Sequence, residues 1–176
     1  MRRRINLWGG PGCGKSTIAA WLFSELNTQG YSVAQVPEYI KTRAYLKQPV
    51  EGMDQAIIFA NQITLEDAPL PGGIQTIITD SPLGMQCYYA RRHKFLCWQE
   101  ILAMTKKFDE LYEPVHIVLS RRGIGYQEEG RYETSEEADV VDREMELFMI
   151  DECNYEFTKI RTLDRATILD YVLKQL

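Results

Sequence analysis

The sequence predicts an α/β fold, a mainly parallel sheet with helices on both faces. Three observations carry that expectation. Short apolar runs alternate with stretches of helical periodicity, the pattern of βαβ units. The first apolar run breaks into a glycine-rich turn and then a helix, across Gly9-Gly-Pro-Gly-Cys-Gly-Lys-Ser16. A β-branched run, Thr76-Ile-Ile-Thr79, ends on an acid, Asp80.

Taken in order, Ile5 to Trp8 reads as a strand stopped by Gly9-Gly10. Lys15 to Gln29 is helical, with Ile18, Leu22 and Leu26 on one face, and Gly30 closes it. Ser32 to Val36 is a second strand, ended by Pro37. Tyr39 to Leu46 is a short helix broken by Pro49 and Gly52, and Met53 to Asp67 resumes the helical period. Pro69 to Gly73 is a loop, and Thr76 to Thr79 is a buried strand. Ile101, Met104, Phe108 and Leu111 mark a helix that stops before Pro114, and Val115 to Leu119 is a fourth strand. Residues 121–135 carry glycines and many charges without periodicity, which suits a surface segment or lid. Thr134 and Glu137 match a capping box that opens a helix to about Glu152. Tyr155 to Ile160 is a fifth strand, and Asp164 caps a last helix with Ile168, Val172 and Leu173 on its face.

At 176 residues, 45% hydrophobic and 26% charged, the chain reads as one globular domain spanning 1–176. A net charge of −5 argues against a globally basic nucleic-acid binder. Cys13, Cys87, Cys97 and Cys153 have no C-x-x-C spacing, which argues against a zinc or redox motif and fits a reducing compartment. No run approaches the ~18 apolar residues of a membrane span. These features predict a soluble cytoplasmic protein.

Gly9 to Ser16 matches G-x-x-x-x-G-K-[ST], the phosphate-binding P-loop, and its strand–turn–helix context is the one the motif requires. Gly10, Pro11, Gly12, Cys13 and Gly14 supply a backbone that turns successive N–H groups toward phosphate oxygens. The start of the helix adds its partial positive charge. Lys15 is expected to reach the β- and γ-phosphates of ATP, Ser16 to hold Mg²⁺, and Thr17 to contact the α-phosphate. A second carboxylate at a strand end is needed to orient the metal, and Asp80 fits. There is no N-K-x-D string, and Asp80 to Gly84 misses D-x-x-G by one position, so a GTPase is disfavoured. The chain is also short for a ring-forming ATPase motor.

With these motifs the chain resembles the small P-loop kinases, in particular the ribosylnicotinamide-kinase-like ATPases common in phage genomes. The resemblance rests on Gly9 to Thr17, Val36-Pro-Glu-Tyr39, Thr79-Asp-Ser-Pro82 and Gly130-Arg-Tyr-Glu-Thr134, and it spans nearly the whole chain. It implies a P-loop NTPase three-layer sandwich, with a five-stranded parallel sheet in the order 2-3-1-4-5 and a short lid. It also implies transfer of the ATP γ-phosphoryl group to a hydroxyl. Val36-Pro-Glu38 is similar to the second-strand glutamate of deoxynucleoside kinases, a general base there. Phage kinases of 5-hydroxymethyluracil in DNA are a neighbouring group.

The acceptor side follows from position. Glu38 ends the second strand, at the edge where α/β sheets bind ligands, and can take or orient the acceptor proton. Arg43 and Gln62 are the candidate substrate contacts. Arg121 and Arg131, flanking and within the glycine-rich segment, can neutralise transition-state charge; Arg131 is favoured for catalysis and Arg121 for nucleotide contact. Arg91-Arg92-His93-Lys94, helped by Arg2 to Arg4, offers a basic strip for a DNA backbone. The expectation is therefore a Mg²⁺- and ATP-dependent kinase of a nucleoside, nucleotide or modified nucleobase. A DNA kinase and a slow regulatory ATPase are the alternatives.

Overall fold

A computed structural model describes residues 2–126 and 133–176. Five strands lie parallel in it: β1 (Arg3–Trp8), β2 (Val33–Val36), β3 (Thr76–Thr79), β4 (Glu113–Ser120) and β5 (Thr158–Arg161). Their order is β2-β3-β1-β4-β5, as the resemblance implied. The helices are α1 (Lys15–Thr28), α2 (Lys41–Tyr45), α3 (Asp54–Asp67), α4 (Leu83–Arg92), α5 (Trp98–Leu111), α6 (Ser135–Phe148) and α7 (Arg165–Gln175). Together they form the three-layer sandwich of a P-loop NTPase. Among the described residues, no helix is long and apolar enough to cross a membrane.

Strand alternation decides the two cores. Ile5 and Leu7 of β1 point to the α1/α7 side and join Leu22, Leu26, Ile117, Ile160 and Ile168. Trp8 points to the opposite side and joins Leu83, Met85, Phe108, Met145 and Phe148. Arg4 and Asn6 share that second face, and it is polar. Arg4, which the sequence offered as surface charge, is fully buried. It donates to Glu66 at 2.8 Å and to Asp109 at 2.5 Å, and its guanidinium lies 4.6 Å from the Phe108 ring centre. Trp8 Nε1 donates to His116 Nδ1 at 2.9 Å. Burial and the nearby Arg4 charge hold His116 down to about 3, so the imidazole is neutral.

Three local departures from the sequence pattern have physical causes. Helix α4 shows no apolar stripe because it is enclosed nearly all round: Leu83 to Tyr88 and Ala90 are all buried. Gly84 permits the closeness, since a Cβ there would stand 2.6 Å from the Trp8 ring. The capping box is made, with Glu137 N donating to Thr134 Oγ1 at 3.3 Å and Thr134 N to Glu137 Oε2 at 2.8 Å. The helix nevertheless stops at Phe148, and a π turn over Met149–Cys153 carries the chain into left-handed Asn154. β5 starts at Thr158 rather than Tyr155. Tyr155 turns inward instead, donating to Asp109 at 2.5 Å and stacking on His116 with ring centres 4.1 Å apart.

Candidate nucleotide-binding and acceptor site

Parallel pairing brings the carboxyl ends of β1, β2 and β3 to one edge, and the P-loop, Glu38 and Asp80 follow from those ends. The loop's shape is fixed from several sides. Gly14 sits at φ +84°, and a Cβ there would come 2.8 Å from Thr162 Cγ2. The Thr162 hydroxyl donates to the Cys13 carbonyl at 2.7 Å, locking the loop to the β5–α7 connection. Burial raises the Cys13 thiol, which stays protonated. Lys15 Nζ donates to the carbonyls of Gly9 at 2.7 Å and Gly10 at 3.1 Å, holding the loop closed on itself.

A further brace comes from α6. Asp142 accepts from Gly10 N at 2.5 Å, and from Arg121 Nε and Nη2 at 2.9 and 2.7 Å. Arg121 Nη2 also donates to the Ala138 carbonyl at 2.9 Å, and Nη1 is buried with no hydrogen-bond partner. Arg121 therefore stands beside the P-loop, as expected, but most of its donors bind the protein itself. Asp142 was not visible in the sequence, because one acid among several on an exposed helical pattern carries no signal.

The metal candidates meet. The Ser16 hydroxyl donates to Asp80 Oδ2. Asp80 is buried, and its Oδ1 has no partner. A hydroxyl beside a buried, under-bonded carboxylate suits a hard divalent cation such as Mg²⁺, which takes few protein oxygens and completes its shell with phosphate and water. Among the described residues, no cluster of three or more His, Cys, Asp or Glu side chains could hold a metal alone. Ser16 and Asp80 are thus the residues that could hold Mg²⁺ alongside a nucleotide.

Glu38 faces the same space. Ser81 Oγ donates to its Oε1 at 3.3 Å, and Gln86 Nε2 donates to Ser81 Oγ at 2.6 Å. Burial raises the Glu38 carboxyl and Asp80 adds to the rise, while Lys15, Lys41 and the Ser81 bond draw it back. A cavity of about 550 Å³ opens in front of it, from Gly12 to Thr17 across to Gln55, Gln86, Tyr45 and Tyr89.

Other expected contacts fall elsewhere. Gln62 is fully buried; its Oε1 accepts from Tyr39 N at 3.0 Å and its Nε2 donates to the Pro37 carbonyl at 3.4 Å. It fixes the backbone on both sides of Glu38 and does not line the cavity. Arg43 donates to the Pro49 carbonyl at 3.0 Å and to Asp54 at 2.9 Å, and it too is absent from the cavity wall. Arg131 lies outside the described residues. Of the basic strip, Arg91 pairs with Glu152 at 3.0 Å and Arg92 pairs with Glu144, so both charges are matched within the fold. His93, expected at the surface, is exposed at the cavity rim and stacks on Tyr89.

A family model described as an AAA domain matches residues 4–166. The chain belongs to the AAA domain family. No curated protein matches it. The matched span contains the P-loop, Glu38, Asp80 and Asp142, and the family supports nucleotide binding of the ATPase type.

Proposed function

We propose that the chain is a single-domain, ATP-dependent kinase whose acceptor is a hydroxyl on a nucleoside, nucleotide or modified nucleobase. The observation that carries this reading is the position of Glu38. Its carboxylate opens onto the cavity beside the P-loop, and its charge is coupled to Lys15 and Asp80. The cavity runs past the P-loop on the Glu38 side to Tyr45, Gln55 and Tyr89, which leaves room for an acceptor beside the phosphates. In this reading Lys15 leaves the loop carbonyls for the phosphates. Ser16 and Asp80 hold Mg²⁺, which neutralises phosphate charge when bound. Glu38 orients the acceptor hydroxyl and takes its proton. Ser81 and Gln86 aim the carboxylate, and Gln62 holds the strand end that bears it. The family resemblance to ribosylnicotinamide-kinase-like enzymes supports the same assignment. The DNA-kinase alternative is weakened by the internal pairing of Arg91 and Arg92.

The experiment is transfer of γ-labelled phosphate from ATP to a panel of free nucleosides and nucleotides, beside DNA containing 5-hydroxymethyluracil. Label is expected in small molecules. Glu38→Gln should lower acceptor phosphorylation by about 10²-fold or more while ADP binding is retained. Acceptor-independent hydrolysis unchanged by that substitution would establish the regulatory ATPase instead.

A further inference from the structure

Lys41 is a cation that the sequence pattern did not single out. It opens α2 three residues after Glu38, and its Nζ donates to Ser16 Oγ at 3.1 Å. The Ser16 proton is already directed to Asp80, so the ammonium occupies a lone pair of the same oxygen. Lys41 is half-buried on the cavity wall and forms no ion pair among the described residues. Lys15, the expected phosphate clamp, is bonded to the Gly9 and Gly10 carbonyls. The charge of Lys41 also reaches Glu38, where it offsets part of the effect of burial.

A serine oxygen that shares a metal with the β- and γ-phosphates lies within a few ångströms of their oxygens. A flexible four-carbon stem 3.1 Å from that serine reaches the same oxygens by rotation alone. Resting on the ATP-dependent reading above, we propose that Lys41 binds the terminal phosphoryl group of the nucleoside triphosphate, as a second ammonium alongside Lys15. The site then distinguishes tri- from diphosphate, and the contact moves from the serine hydroxyl to the phosphoryl oxygens as the nucleotide enters. A purely structural lysine at this place would support both nucleotides equally.

The test is calorimetric titration of the full chain with ADP and with the β,γ-imido analogue of ATP, in magnesium buffer. The proteins compared are wild type, Lys41→Met and Lys41→Arg. Lys41→Met should weaken the triphosphate analogue by roughly 10-fold or more and ADP by less than about twofold, from the usual strength of a charge-assisted hydrogen bond. Lys41→Arg should recover most of the loss, and the unfolding temperature of both variants should match wild type. Equal weakening of the two nucleotides, no weakening, or a loss that follows a drop in unfolding temperature overturns the assignment. If wild type binds neither nucleotide, the ATP-dependent reading itself fails. If wild type binds both and Lys41→Met does not discriminate, only the role of Lys41 fails.

Discussion

Substituting Asp142 tests how the P-loop is held from outside its own sequence. Its carboxylate accepts three bonds, one from Gly10 N and two from Arg121. Asp142→Ala strands the guanidinium, which among the described residues keeps the Ala138 carbonyl and an exposed Asp139 at 3.6 Å. Breaking a buried ion pair from one side costs about 3–5 kcal/mol. The Arg121 and Asp142 side chains are 16% and 24% exposed, so solvent screening reduces the expected loss to about 2–3 kcal/mol. For a chain of this length that is a fall in unfolding temperature of roughly 5–10 °C. Asp142→Asn keeps an acceptor for Gly10 N and should lose about half as much. The decisive variant is Asp142→Ala combined with Arg121→Met, which removes the stranded charge. Followed by circular dichroism on heating and in urea, it should be more stable than Asp142→Ala alone. If the two losses simply add, the carboxylate is not compensating the arginine and the reasoning is wrong.

Gly84→Ala should destabilise by about 1–3 kcal/mol, because the new methyl meets a Trp8 ring held in place by His116; an unchanged urea midpoint would show that the ring can move. His116 gives a pH signature. Its native pKa of about 3 lies below the ordinary 6.5, so in that window the unfolded chain binds the extra proton. Its contribution is complete above pH 6.5 and declines by about 1.4 kcal/mol per unit as pH falls toward 3. Unfolding free energies of wild type and His116→Gln, measured from pH 7 to 4, should diverge by that slope; parallel curves would refute a neutral buried imidazole.

The fold was legible wherever an element carries a signal in its own sequence. α1 announces itself by periodicity, α6 by its capping box, and β3 by its β-branched run bounded by turn residues. α4 was not legible, because a helix buried on all sides carries no stripe. The meeting of Ser16 and Asp80, 64 positions apart, was legible from the P-loop and from a strand that ends on an acid: the two side chains share a hydrogen bond. The chemistry was illegible where a residue acts across the fold. Nothing local distinguishes Asp142 from its acidic neighbours on α6, or Lys41 from a solvated lysine. Arg4 sat in a run of arginines that resembles a surface patch, and only strand alternation in a central β1 turns it inward. Gln62 shows the converse. A polar residue among apolar ones reads either as a substrate contact or as an amide bonded within the protein, and its partners are the backbone groups beside Glu38.

The position of β1 in the middle of the sheet sets the order in which this protein can be assembled at the ribosome. The strand that leads into the phosphate loop is made before either neighbour, since its partners begin only at Thr76 and Glu113. At about 5–20 residues per second, roughly 6–20 seconds separate synthesis of Arg3 from that of Glu113. Until Thr76 is made both flanks of the strand lack their hydrogen-bonding neighbours, and until Glu113 is made one flank still does. Strand β1 is thus an open edge awaiting closure, and the charges of Arg2, Arg3 and Arg4 keep such edges apart.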